Sequence, residues 1–161
     1  EPFVVVFPDD VHIGQPPLTR QLIDTYNQTG CNVLAVEHDP PNLNRYGVVG
    51  LDADGLHVTA IVEKPPPGSE PSRDVSIGRY LYTPEIYSVL RDRWKMHQIG
   101  EFNYTEGVND LAARGRVVIQ RMIGRRMDIG TPSGYLRSIL EYASQDPELS
   151  AEIEAFRAND S

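Results

Sequence analysis

Two pairs of charged residues stand directly after apolar, strand-like runs. Asp9-Asp10 follows Phe3 to Phe7, and Glu63-Lys64 follows Val58 to Val62. Two carboxylates at the C-terminal mouth of a buried strand are good ligands for a hard cation. A turn or a helix N-cap would favour aspartate at the same place. Behind Glu63-Lys64, Pro65 to Pro67 stop the strand, because proline brings no N–H to the ladder and fixes the backbone just past the pair. Open α/β sheets present ligand groups at such strand ends; a surface ion pair before a proline-rich loop is the plainer alternative. Gly47, at the start of a further strand, offers bare backbone that a ligand could approach closely.

The elements that must position these residues follow from periodicity. FVVVF is apolar without alternation, the pattern of a strand covered on both faces in the centre of a parallel sheet. With nothing before it, its neighbours are expected from elsewhere, which predicts a chain lacking an N-terminal part of its sheet. Pro17 opens a helix carrying Leu18, Leu22, Ile23 and Tyr26, stopped near Gly30, and Asn32 to His38 is a second strand. Strand, helix, strand is a βαβ crossover and indicates an α/β class. Tyr46 to Asp52 and Leu56 to Val62 form an antiparallel hairpin around Ala53-Asp54-Gly55. Asp52 and Asp54 imitate the Asp-x-Asp metal motif of many glycosyltransferases, but Asp-Gly is a standard hairpin turn. A strand over Val75 to Tyr82 leads to a helix from Thr83-Pro84-Glu85, with Ile86, Val89 and Leu90 on one face, and Trp94 to Gly100 reads as loop. A helix from Thr105 to Ala113 and a strand from Val117 to Ile123 follow. Thr131-Pro132 caps a helix whose apolar face uses Tyr135, Leu136, Ile139, Leu140 and Ala143. Asp146-Pro147-Glu148 caps the last helix, so that residues 146–161 form a terminal, peripheral or dimer-forming element of a single domain, 1–161.

Composition narrows the class. A net charge of −8 argues against a nucleic-acid partner, and no apolar run reaches the length of a membrane span. Cys31 is the single cysteine, so no internal disulfide is available, in keeping with a reducing cytosol. His12, His38, His57 and His97 show no metal-ligand spacing.

VVFPDD, RYGVV, VEKP followed by GRY and TPEIY, GEFNYTEGVNDL and DIGTPSGYL occur in one order from Phe3 to about Phe156. Together they resemble the sugar-phosphate nucleotidylyltransferases, and within that family the bacterial uridylyltransferases that act on UTP and glucose 1-phosphate. The resemblance implies a Rossmann-like mixed sheet of the nucleotide-diphospho-sugar transferase type, here an incomplete C-terminal portion. It implies an enzyme that uses Mg²⁺, takes a nucleoside triphosphate and a sugar 1-phosphate as small-molecule substrates, and makes UDP-glucose and pyrophosphate; a cytoplasmic location is expected from the single cysteine, and a homo-oligomer from the exposed flank of FVVVF. Asp9 and Asp128 would be the metal ligands, and with Lys64, which would meet the sugar phosphate, the catalytic set. Asp10 would lie near the sugar, Glu63 and the backbone of Gly47 would contact its hydroxyls, and Gly78, Arg79 and Glu101 would border the pocket.

Departures from the family pattern sharpen these expectations. The opening loop of the type GxGTRxxPxT, which cradles the triphosphate, is absent, so this stretch alone is expected to be inactive. GEFNYTEGV and RRMDIGTP differ from the uridylyltransferase segments, the latter leaning toward thymidylyl- and guanylyltransferases. A related thymidylyl-, guanylyl- or adenylyltransferase, or a non-catalytic binding or regulatory module, are the alternatives.

Overall fold

The computed structural model describes residues 1–159. In chain order the elements are β1 (Phe3–Val6), β2 (Asp10–Ile13), α1 (Leu18–Thr29), β3 (Asn32–His38), β4 (Gly47–Leu51), β5 (Val58–Glu63), β6 (Asp74–Tyr82), α2 (Glu85–Met96), α3 (Thr105–Ala112), β7 (Val117–Arg121), β8 (Arg125–Asp128), α4 (Pro132–Ala143) and α5 (Pro147–Asn159). The main sheet runs β5-β4-β6-β3-β7, with β1 added beside β6. β6 organises it. One edge of β6 takes β4 at Val75 and β1 from Arg79 to Tyr82, while the other takes β3 along its length. β3 and β7 pair in parallel and the remaining neighbours are antiparallel, so the sheet is mixed.

Alternate residues of the inner strands feed two cores. Leu34, Val36, Val49, Tyr80 and Tyr82 pack against α2 and α3 through Ile86, Val89, Val108 and Leu111. Val33, Ala35, Val48, Val75, Ile77 and Leu81 pack on the other face against Leu18 and Leu22 of α1. Helices on both faces explain why these strands read as continuous apolar runs. α1 ends where expected, at Gly30 in the left-handed conformation with φ 66°, a position that suits a residue without a Cβ.

Several expectations give way. β1, expected in a parallel sheet, pairs antiparallel with β6, its partner among the described residues, and Val6 is 50% exposed. Its run was apolar because both faces are still partly covered, Phe3 and Val5 by one core and Val4 by the other. The predicted βαβ unit exists with β6 inserted between β1 and β3, both antiparallel to it. α2 continues through Met96, where loop was expected. Its last turn lost the apolar period because Trp94 faces outward, stacking on His97 and meeting Phe102 edge-on. On α4 the predicted apolar face is largely exposed, with Tyr135 at 54% and Leu136 at 58%; Ser138 and Ala143 are its buried residues. α5 begins as predicted, Asp146 accepting hydrogen bonds from the N–H groups of Glu148 and Leu149. Residues 160–161 of that predicted helix lie outside the described residues. β2 and β8, a separate two-stranded antiparallel ribbon, were not anticipated. Among the described residues no helix is long and apolar enough to cross a membrane.

Candidate functional site

The ribbon assembles the acidic half of the site. Its register places Asp10 opposite Asp128 and His12 opposite Arg126, and the Ile129 N–H donates to the Asp9 carbonyl at 2.9 Å. Asp9 and Asp128 are thereby brought to one place from opposite ends of the sequence. A carboxylate oxygen of each lies 3.3 and 3.2 Å from the point where a Cβ on Gly130 would sit. Any side chain at 130 would fill the space between them. Two hard oxygen donors leaving further coordination positions to water or phosphate oxygens suit Mg²⁺, which is reluctant to shed its waters. Among the described residues, no group of three or more histidine, cysteine, aspartate or glutamate side chains is arranged to hold a metal ion.

Asp10 plays a different part from Asp9. Its Oδ2 accepts from the Gly78 N–H at 2.7 Å and its Oδ1 meets Arg126. Gly78 is required here, because a Cβ would stand 2.7 Å from Phe7 Cβ and 2.8 Å from that same oxygen. Arg126, only 12% exposed, also reaches Glu37 at 3.4 Å and Asp128 at 3.9 Å, under the ring of Tyr46 at 5.2 Å. Sequence reasoning missed Arg126. It read RRMDIGTP as a motif and not as a strand, so nothing indicated that one of two adjacent arginines turns inward. Arg79 donates from Nη2 to the Asp10 carbonyl at 3.3 Å.

The second half lies where β5 ends. Gly47 and Glu63 are direct partners across β4 and β5, and a Cβ on Gly47 would come within 3.0 Å of Glu63 Oε1. That oxygen accepts from the Thr105 hydroxyl at 2.9 Å, a donor the sequence reading did not single out. Glu63 and Lys64 do not form the ion pair considered as the plain alternative. Among the described residues the Lys64 ammonium has no hydrogen-bond or ion-pair partner. Its backbone is held at φ 44° while its N–H donates to the Tyr46 carbonyl at 3.0 Å. A left-handed lysine is strained, and such strain gathers at functional sites. Glu63, Lys64, Glu101 and Thr105 line an open cleft of about 490 Å³.

Tyr80 and Tyr104 join the two halves, their hydroxyls 2.9 Å apart. Burial raises the pKa of both phenols, and Tyr80 also feels the charges of Asp10 and Glu63. Both therefore remain neutral hydrogen-bonding groups near neutral pH. The Asp52-x-Asp54 segment is the hairpin turn that Asp-Gly suggested. Asp54 accepts from the N–H groups of Leu56 and His57 and Gly55 N–H donates to the Asp52 carbonyl.

Three comparisons bear on this geometry. The sequence pattern of the family described as nucleotidyl transferase matches residues 1–145. A UTP–glucose-1-phosphate uridylyltransferase of Bacillus subtilis (strain 168) is 35% identical over 160 residues, 97% of this chain and 54% of that protein. Its counterpart in Staphylococcus epidermidis (strain ATCC 12228) is 34% identical, again over 97% of this chain, and 55% of that protein is covered. The chain thus spans about 55% of the length of the relatives it matches. Among solved structures, a UTP-bound UDP-glucose pyrophosphorylase from Acinetobacter baumannii superposes with a TM-score of 0.81 at 27% identity, covering 97% of this chain and 55% of that one. A UDP-glucose pyrophosphorylase complexed with UDP-glucose gives 0.78 at 29% identity, covering 90% of this chain and 57% of that one.

Proposed function

This chain belongs to the nucleotidyl transferase family, and from that premise we propose that it supplies the sugar-phosphate side of a UTP–glucose-1-phosphate uridylyltransferase. The observation that carries the reading is the meeting of Asp9 and Asp128 around Gly130, together with a cleft bearing Glu63 and Lys64. In the reaction a glucose-1-phosphate oxygen attacks the α-phosphorus of UTP; the new P–O bond forms as the bond to the β-phosphate breaks, and pyrophosphate leaves. The nucleophile is already anionic, so no protein nucleophile is needed, and the protein must position two polyanions and offset their repulsion.

Asp9 and Asp128 are the residues that would hold Mg²⁺, which when bound would offset phosphate charge and orient phosphate oxygens. Lys64, unpaired at a fixed corner, offers its ammonium to the sugar phosphate. Glu63 keeps one carboxylate oxygen beyond the Thr105 bond, enough to accept from sugar hydroxyls, and the bare Gly47 backbone lets the sugar approach. Asp10 and Arg126 are positioning residues, while Gly78, Arg79 and Glu101 border the pocket. Conversion of UTP and glucose 1-phosphate is named for the longer relatives, and extends here to the protein of which these residues form the sugar-binding part.

Isothermal titration of UDP-glucose with Mg²⁺ into this chain tests the reading, with dTDP-glucose and GDP-mannose alongside. UDP-glucose is expected to bind most tightly, and Glu63→Gln to weaken it about tenfold, the loss of one charge-assisted hydrogen bond. Tighter binding of either other nucleotide sugar would reassign the base or the sugar. Binding of none, either by this chain or after an N-terminal part carrying the GxGTRxxPxT-type loop is restored, would favour a non-catalytic module of the same fold.

A further inference from the structure

The cleft at the end of β5 has two walls. Glu63 and Lys64 form one, and residues 101–105, the segment that enters α3, form the other. Its shape therefore depends on how α3 is fixed to β5. β5 stands at the end of the main-sheet order, and an outermost strand carries N–H and C=O groups that need partners beyond the ladder. Asn109 of α3 supplies both at one residue. Its Nδ2 donates to the Ile61 carbonyl at 3.0 Å, and its Oδ1 accepts from the Ile61 N–H at 2.7 Å. A carboxamide carries the donor and the acceptor of a peptide unit, so this side chain stands in for a neighbouring strand. Asparagine is a poor choice inside a helix because it competes for backbone groups. Here the backbone it takes belongs to another element.

Thr105 and Asn109 are one helical turn apart on a single face of α3, and Ile61 and Glu63 are alternate residues of β5. Four helical residues rise about 6 Å and two strand residues about 6.7 Å, so both contacts fit at once. With Asn109 seated on Ile61, the Thr105 hydroxyl reaches Glu63 at 2.9 Å. The other contacts of α3 do not set this register. Val108 and Leu111 are fully buried in the apolar core, where attraction is non-directional. Asp110 is bonded to Arg93 of α2 at 2.7 Å. We propose that Asn109 is a positioning residue: by clamping α3 to Ile61 it sets the width of the cleft and holds Glu63 against Thr105. Its consequence for the selection of a sugar rests on the function proposed above.

The test compares Asn109→Ala with Asp110→Asn, which weakens the tie of the same helix to α2 and leaves the β5 contacts in place. Melting temperatures of both account for general loosening of α3. Without ligand, NMR cross-peaks between the side chains of Thr105 and Glu63 are expected to vanish in Asn109→Ala and persist in Asp110→Asn. UDP-glucose and UDP are then titrated calorimetrically, with Mg²⁺, into the 161-residue chain and into the protein restored at its N-terminus. Asn109→Ala is expected to weaken UDP-glucose severalfold, by no more than Glu63→Gln does, and to leave UDP unchanged. Combined with Glu63→Gln, the two losses should fall short of adding, since both act through one carboxylate. Cross-peaks that persist in Asn109→Ala, equal losses in Asn109→Ala and Asp110→Asn, or equal losses for UDP and UDP-glucose overturn the clamp. Should Asn109→Ala not fold, Asn109→Asp, which keeps an acceptor for the Ile61 N–H and loses the donor to its carbonyl, carries the same comparison. Lost cross-peaks without UDP-glucose binding in either form of the protein uphold the clamp and count against the proposed function alone.

Discussion

The two halves of the candidate site hold carboxylates in opposite ways. At the β4–β5 end, Glu63 is placed by the main-sheet register opposite Gly47 and touched by one neutral hydroxyl, that of Thr105. In the β2–β8 ribbon, carboxylates crowd together, and the ribbon stands because Arg126 is threaded between Asp10, Glu37 and Asp128. The sheet half can keep its charge free for a ligand because the core behind it supplies the stability. The ribbon buries Met127 and, in part, Val11 and Ile13, and its charged residues are held by the network around Arg126. One half should therefore fail through binding and the other through folding.

Removing the central cation should separate them most sharply. Arg126→Met leaves the half-buried Asp10 and Glu37 uncompensated and is expected to lower stability by about 3 kcal/mol, read as the urea midpoint. If stability holds while nucleotide-sugar binding falls, Arg126 is a ligand contact and the contrast is wrong. Gly78→Ala comes next, because its Cβ would press on Phe7 and on the Asp10 oxygen; a loss of about 1–3 kcal/mol is expected from the overpacking, with β1 and the ribbon most affected in hydrogen exchange. On the sheet side, Thr105→Val should leave the melting temperature within a few degrees and weaken UDP-glucose binding severalfold. A large stability loss there would mean that Glu63 is structural too.

The smallest effect is expected at the β4–β5 turn. The hydrogen bond from His57, followed by the N–H groups of Leu56 and His57, holds the Asp54 pKa down to about 2. Because the folded-state value is depressed, the favourable interaction is present above the ordinary value of 3.8 and is lost as pH falls toward 2. Carboxyl-carbon NMR should show this titration, and Asp54→Asn should abolish it with no change in ligand binding. A binding loss would revive a metal role for Asp52 and Asp54.

Much of the fold was legible from short-range signals. Gly30, Asp54-Gly55, Thr131-Pro132 and Asp146-Pro147 mark ends and turns through local backbone chemistry, and the structure keeps them. The misjudged places are those where a neighbour decides. FVVVF was expected in a parallel sheet and pairs antiparallel with β6, because a strand's sequence records what covers its faces and not what pairs with its edges. Trp94 and the α4 stripe are apolar residues left outside, and a hydrophobic period alone cannot say whether a partner surface exists.

The same division runs through the site. The sequence by itself placed Asp9, Glu63 and Lys64 at strand ends and Gly47 where backbone is bare, because strand termination and glycine geometry are local properties. Only the tertiary structure decided that Asp9 meets Asp128, that Asp10 anchors Gly78 and Arg126 while its neighbour stays available, and that Thr105 rather than Lys64 bonds Glu63. Those outcomes depend on the β2–β8 register and on the docking of α3. Contacts between residues distant in sequence are set by which surfaces can be buried together, and no window along the chain contains that choice.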